Sequence, residues 1–222
     1  GLSESRVKNE DKRFQRHSQY SYRARLARAW GAGVDGLYLF NVYDPQKAFL
    51  RECSGAQSVL GKTKHYFATF RDGRPLNYLV GGNAFRRTPL LTPSYPLAIA
   101  SGTLRTLTIT IIEPDGTKEH GRFVAHLRVE EQAAEFVDRL NVHVNGIRLG
   151  GATVLDEWLD FPVPATAIRH GNNEIIFAVA AAPVPEVGQG EADQQSVCSR
   201  DFSNSLILKD FVLSVTYDAP EL

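Results

Sequence analysis

Five runs in the second half of the chain set the fold class before anything else does. LTITI (107–111), FVAHLRV (123–129), LNVHV (140–144), EIIFAVA (174–180) and FVLSVTY (211–217) alternate or stay apolar along their length. Such alternation places every second side chain on one face, which is the pattern of a half-buried antiparallel strand. The connections agree. Asp115-Gly116 and Asn145-Gly146 are dipeptides that accept the positive φ of tight hairpin turns, and His170-Gly171-Asn172-Asn173 reverses the chain just before Glu174. The expectation is a mainly β protein, an antiparallel β-sandwich with one face of each sheet turned inward.

The first half reads differently. Tyr22, Leu26 and Trp30 recur every fourth residue while Arg23, Arg25 and Arg28 fall elsewhere, which predicts an amphipathic helix with a solvated basic face. Gly31 and Gly33 end it. VDGLYLFNV (34–42) is then a nearly continuous apolar segment, the kind that lies in the middle of a sheet covered on both faces, and Pro45 stops it. A short helix is expected from Pro45 to Glu52 with Phe49 and Leu50 inward, and another apolar stretch, HYFAT, begins at His65. Residues 1–17 are polar without a sustained period and read as a loop or frayed helix without functional content. GRPLNYLVGGNAFRRTPLLTPSYPL (73–97) suits an extended connection, and AAAPVPEVGQGEADQQ (180–195) an exposed loop. The domain boundary is placed between 72 and 73, giving a small α/β piece (1–72) and a sandwich (73–222).

A hydrophobic content of 43% over 222 residues is enough for a real core. Lysine and arginine number 25 against 25 acids, so no global field draws the chain to nucleic acid or to an anionic membrane. No window approaches the roughly 18 apolar residues of a membrane span. The chain starts with Gly and contains no Met, which reads as a piece excised from a longer parent, for which an extracytoplasmic location is favoured. Cys53 and Cys198 fit no metal-ligand spacing and read as two unpaired structural thiols; a disulfide between them would need an oxidising compartment.

ARAWGAGVDGLYLFNVYDP resembles the last helix and strand of the (β/α)₈ barrel in large glycoside-hydrolase-like proteins, and LRECSGAQSVLGKTKHYF is similar to the segment that leads out of such a barrel. LNVHVNGIRLGG and WLDFPVPATAIRHGNNEIIFAV resemble the galactose-binding-like jelly-roll domains attached to glycosidases. Together these resemblances imply a jelly-roll sandwich preceded by the α/β remnant of a barrel whose other strands lie elsewhere. In such a barrel Asn41, Tyr43 and Asp44 follow the strand and would face a substrate. A glycosidase needs two carboxyl groups at a defined separation, so Asp44 alone supplies no catalysis; its other reading is a turn or cap residue before Pro45.

Two readings stand for Trp158. Flanked by Asp156, Glu157 and Asp160, an exposed indole would stack on a pyranose while the acids accept hydrogen bonds from its hydroxyls. Alternatively it closes the sandwich edge beside Leu155, Leu159 and Phe161. The histidines show no metal-binding spacing, and His126 and His143 alternate with apolar neighbours, so they are expected on the outer face. No metal site or cofactor is expected, although a Ca²⁺ held by loop carbonyls would leave no sequence trace. GAGVDG precedes a strand rather than following one, so it is not a dinucleotide fingerprint, and no GxSxG is present.

The functional expectation is a non-catalytic accessory sandwich that binds carbohydrate or buttresses the parent's barrel. The alternatives are an enzyme whose site is complete only in the longer chain and a protein-interaction module. An exposed barrel remnant would also allow a dimer.

Overall fold

The structure is a computed structural model that describes residues 2–3, 7–40, 42, 44–68, 91–130, 136–180 and 205–218. Asn41, Tyr43, Cys198, most of the connection after Gly73 and nearly all of the 180–195 loop lie outside the described residues.

The protein is mainly β, as its alternating runs require. The strands in chain order are β1 (Leu2–Ser3), β2 (Leu39–Phe40), β3 (Lys64–Phe67), β4 (Leu97–Ala100), β5 (Leu104–Ile111) and β6 (Gly121–Val129). They continue with β7 (Leu140–Val144), β8 (Ile147–Arg148), β9 (Thr153–Leu155), β10 (Trp158–Val163), β11 (Gly171–Val179) and β12 (Ser205–Tyr217). One sheet runs β3-β12-β6-β10-β9, with β4 also on β12, and a second runs β5-β11-β7-β8. Every pairing within these two sheets is antiparallel.

The period-two pattern decides what lies between the sheets. Phe123, Ala125, Leu127 and Val129 of β6 face Leu107, Ile109 and Ile111 of β5 and Ile175, Phe177 and Val179 of β11 in one continuous core. Phe177 and Phe211 meet edge to face across it, ring centroids 5.6 Å apart. A bulge in β12 between Leu208 and Asp210 shifts the alternation by one residue. Leu206 and Leu208 point inward before it and Phe211, Leu213 and Val215 after it, while Asp210 is delivered to the outer face.

Asn145 (φ 50°) and Gly146 (φ 84°) close the β7–β8 hairpin as expected. The Asn145 side chain donates to Ala167 O (2.7 Å) and to Asn173 Oδ1 (2.8 Å) and accepts from Glu174 N (2.9 Å). Asn173, wholly buried, donates in turn to Arg169 O and Gly171 O. The two sequence-distant turns are thus one hydrogen-bonded unit. Asp115-Gly116 differs from the expectation. It opens a one-turn helix, α2 (Asp115–Lys118), because β5 and β6 belong to different sheets and no tight hairpin can join them.

The N-terminal part forms a β-α-β crossover. Helix α1 (Gln19–Gly31) starts at the Ser18 cap, whose side chain accepts from Ser21 N, and joins β1 to β2, which pair in parallel. Tyr22 and Leu26 of its apolar stripe are buried and Trp30 is half-buried, Tyr22 stacking on Phe49 at 3.8 Å. Its basic face is not solvated as expected. Arg23 is buried and donates to both carboxylate oxygens of Glu52, and Arg28 donates to Thr110 O (2.7 Å), tying the helix to β5. Gly31 allows this closeness, since a Cβ there would lie 3.0 Å from Ile112. A 3₁₀ helix (Ala48–Ser54) stands where the second helix was expected, with Phe49 inward.

Two further differences bear on function. Among the described residues the apolar run 34–42 is not a central strand: Leu39 and Phe40 alone are paired there, with β1, and Tyr38 and Phe40 are 68% and 52% exposed. KHYF, by contrast, is β3 of the sandwich and pairs with β12. It carries Lys64 into the interior, where Lys64 Nζ sits 2.8 Å from Glu113 Oε1, both side chains at 0% exposure. Tyr66 and Tyr217 hydroxyls donate to the same carboxylate at 2.8 and 2.7 Å.

Candidate functional site

The residues singled out around Trp158 do come together, but under cover. β10 and β9 form a hairpin whose turn is Asp156-Glu157, with Asp156 at φ 52°. Trp158 and Asp160 therefore share the outer face of the larger sheet, beside His126 on β6 and Ser214 on β12. Residues 10–17 run across this face as a strap. Phe14 packs on Trp158 (5.0 Å), His126 (4.5 Å) and His65 (4.9 Å), closing a small cluster with Phe67 and Val212.

This corrects the sugar-platform reading of Trp158. The indole is 3% exposed and its ring is taken by Phe14 and the Arg13 guanidinium, so no pyranose can reach it. Two of the acids are engaged as well: Asp160 accepts from Arg13, and Glu157 accepts from Arg128 (2.7 Å) and Lys209 (3.3 Å), while Asp156 is exposed at the hairpin turn. Nor does the indole close the sandwich edge: β10 lies between β6 and β9, Leu159 and Phe161 point into the core between the sheets, and Trp158 packs with Phe14, Phe67 and Val212 on the opposite face. His126 does lie on the outer face, which the strap then buries.

The strap went unread in the sequence because its anchors are ionic rather than periodic. Arg16 donates to both oxygens of Asp210 (2.6 and 3.1 Å), to Leu91 O and to Glu10, all within a buried setting. The only visible signal is the pattern R-F-Q-R-H (13–17), cations around one aromatic.

Beneath the strap lies a polar chain. His126 Nδ1 is 2.7 Å from Asp160 Oδ1 and Nε2 is 2.8 Å from Ser214 Oγ. Burial alone would raise the Asp160 carboxyl, but hydrogen bonds from His126 and Arg13 outweigh it and hold the carboxyl below its usual range. An ionised Asp160 accepts from Nδ1–H, leaving Nε2 to accept from the Ser214 hydroxyl. The order matches an acyl-transfer triad. Ser214, however, is 6% exposed under the strap, and such chemistry needs an open nucleophile with donors placed for the oxyanion. In this fold the chain locks three strands and the strap together.

Two imidazoles in this setting are kept neutral. Burial lowers His126 despite Asp160, and burial, with the neighbouring His126 ring and the Arg13 charge, lowers His65 to about 4. A histidine with a depressed folded value binds its proton more readily when unfolded. Its stabilising effect is complete above about pH 6.5 and is lost as pH falls toward 4. Urea titrations in pH steps should show a loss of up to about 3 kcal/mol from His65 across that window, smaller in His65→Phe. Asp210, raised by burial despite Arg16, acts in the opposite sense in acid. An unfolding midpoint constant from pH 7 to 4 would refute this assignment.

At the other candidate position, Asp44 is exposed and accepts from Gln46 N at 2.9 Å, the geometry of a turn residue before a helix. Among the described residues no group of three or more His, Cys, Asp or Glu side chains is arranged to hold a metal ion, and no helix is long and apolar enough to cross a membrane. Cys53 lies against Phe49 O at 3.5 Å.

No protein-family model matches the chain, and no curated protein matches it. Among solved structures, BuGH86 in complex with neoagarooctaose, wild type and a variant, is similar at 12% identity and a TM-score of 0.42 over 71% of this chain. BpGH86A, a β-porphyranase of glycoside hydrolase family 86 from the human gut bacterium Bacteroides plebeius, is similar at 10% identity and a TM-score of 0.37 over 82%. The chain spans 19% of the first structure and 32% of the second. Likeness at this level carries no functional argument.

Proposed function

We propose that this chain is a non-catalytic accessory β-sandwich that buttresses a (β/α)₈ barrel of glycoside-hydrolase type, to which its β1-α1-β2 unit contributes. The observation that carries the reading is the bare face of β2. Parallel strands occur in sheets covered on both faces. Here α1 and Leu2, Leu37 and Trp30 cover one side of the pair, while Tyr38 and Phe40 stand open on the other. An aromatic face of this kind, on a pair to which no third strand is added among the described residues, suits further parallel strands of the same barrel. The sandwich side of the unit is fixed by Arg28, Gly31 and the packing of α1 on β3, so load on the barrel would pass directly into the sheets. The buried Trp158 removes the support that a sugar-stacking reading would have had.

The test is a parent protein carrying both parts, compared with Tyr38→Ser/Phe40→Ser. The reading expects the barrel's melting temperature to fall by several degrees while that of the 222-residue chain alone stays unchanged. A parent whose barrel melts unaltered would remove the proposal.

A further inference from the structure

The strap, residues 10–17, is held on the larger sheet by side chains alone. Among the described residues it makes no backbone-to-backbone hydrogen bond to any strand. The polar ties run from Arg13 to Asp160, from Arg16 to Asp210 and Leu91 O, and from Arg128 to the carbonyl of Asn9 just before it. The segment is anchored at its two ends, by β1 and by the Ser18 cap of α1, so it can lift as a loop without breaking a strand ladder.

The apolar anchor of the strap sits on two imidazoles. The Phe14 ring lies 4.5 Å from His126 and 4.9 Å from His65, and Tyr20 of α1 lies 4.9 Å from the His65 ring. Register puts His65 opposite Ser214, yet its Nδ1 is sealed from solvent without a hydrogen-bond partner among the described residues. The groups around it offer a second ring proton no acceptor. Arg13 of the strap is a cation, and Asp160 of β10 already accepts from Arg13 and His126. Ser214 of β12 donates to His126 Nε2 of β6, and Arg23 lies against the Tyr20 ring. Lys64 and Tyr66, the neighbours of His65 on β3, point the other way, toward Glu113. An imidazolium in this position has neither counter-charge nor water, a costly state for a charge. Lifting the strap removes Phe14 and Arg13 together and admits water.

We propose that the strap is an acid-released latch: protonation of His65 lifts residues 10–17 off the sheet and bares Trp158, His126 and Ser214 while both sheets stay folded. The closed strap disfavours the His65 proton, so the proton disfavours the closed strap, and the latch shuts again as pH returns to neutrality. Asp210 opposes release, because burial raises its carboxyl despite Arg16 and a proton there favours the closed form. With His65 at about 4 when covered and near its ordinary 6.5 when open, the open form gains about twentyfold between pH 7 and pH 5.

The test uses the 222-residue chain with Trp30→Phe, so that of its two tryptophans Trp158 alone emits. Acrylamide quenching of Trp158 and the far-UV circular dichroism of the sheets are followed from pH 7 to pH 4, beside the same chain with His65→Phe. Quenching is expected to rise several-fold on acidification with the dichroism unchanged, and to stay flat in His65→Phe. The His65 ring, followed by NMR in the natural chain, should titrate over the same pH range as the quenching, a readout that does not depend on the variant folding. Three results would each overturn the proposal: quenching that stays constant down to pH 4; quenching that rises only as the dichroism is lost, which would mean global unfolding; or a rise retained in full without the imidazole.

Discussion

Glu113→Gln is expected to lower the unfolding free energy by about 3–5 kcal/mol, the cost of leaving a buried charge without its counter-ion. Glu113 is the common acceptor for Lys64, Tyr66 and Tyr217, so its two oxygens hold three donors from β3 and β12 at the end of β5. Burial pushes the Lys64 ammonium down from its ordinary range and Glu113 opposes that shift. With a neutral amide in place of the carboxylate, a buried ammonium and one tyrosine hydroxyl lose their best partner. The companion variant Glu113→Gln/Lys64→Met should recover most of the loss, because removing both charges removes the desolvation cost too. Chemical denaturation of the three proteins checks this. If Glu113→Gln costs less than about 1 kcal/mol, in the range of an exposed pair, the buried ion pair is not what joins these strands.

Trp158→Ala is expected to cost about 3–5 kcal/mol, the range for emptying a large aromatic from a packed site. The indole is enclosed by Phe14, Phe67 and Val212, so its removal leaves the strap without its apolar seat. Phe14→Ala should act on the same contact. In a double-mutant cycle the two losses should therefore fall short of adding, by about 0.5–3 kcal/mol. Denaturant unfolding measures all three variants. A Trp158→Ala protein as stable as its parent would return the indole to solvent and restore the sugar-platform reading.

The strands that were legible in the sequence carry a plain apolar or alternating run, whether one face is wet, as in β7 and β11, or both are largely covered, as in β12. LNVHV and EIIFAVA alternate cleanly, and their register follows from that. β10 was not read as a strand, because Asp160 interrupts a short run in which Trp158, Leu159 and Phe161 are all buried. Pro162 also argues against a strand in the sequence. It is tolerated because β9 ends opposite Asp160, so the missing N–H faces an open edge. The strap, the Lys64–Glu113 pair and the Ser214-His126-Asp160 chain join residues 34 to 194 positions apart, through contacts that leave no local pattern. Tyr38 and Phe40 show the reverse case: their apolar run was plain, but only the structure shows that one face of the strand is uncovered.

That uncovered face is the centre of the account, and it can be tested in the 222-residue chain itself. Sedimentation velocity over a concentration series, with binding of an apolar fluorescent dye, would be compared between the natural chain and Tyr38→Ser/Phe40→Ser. The account predicts dye binding and concentration-dependent self-association that both disappear in the variant, with no change in melting temperature. A chain that stays monomeric and binds no dye would contradict it.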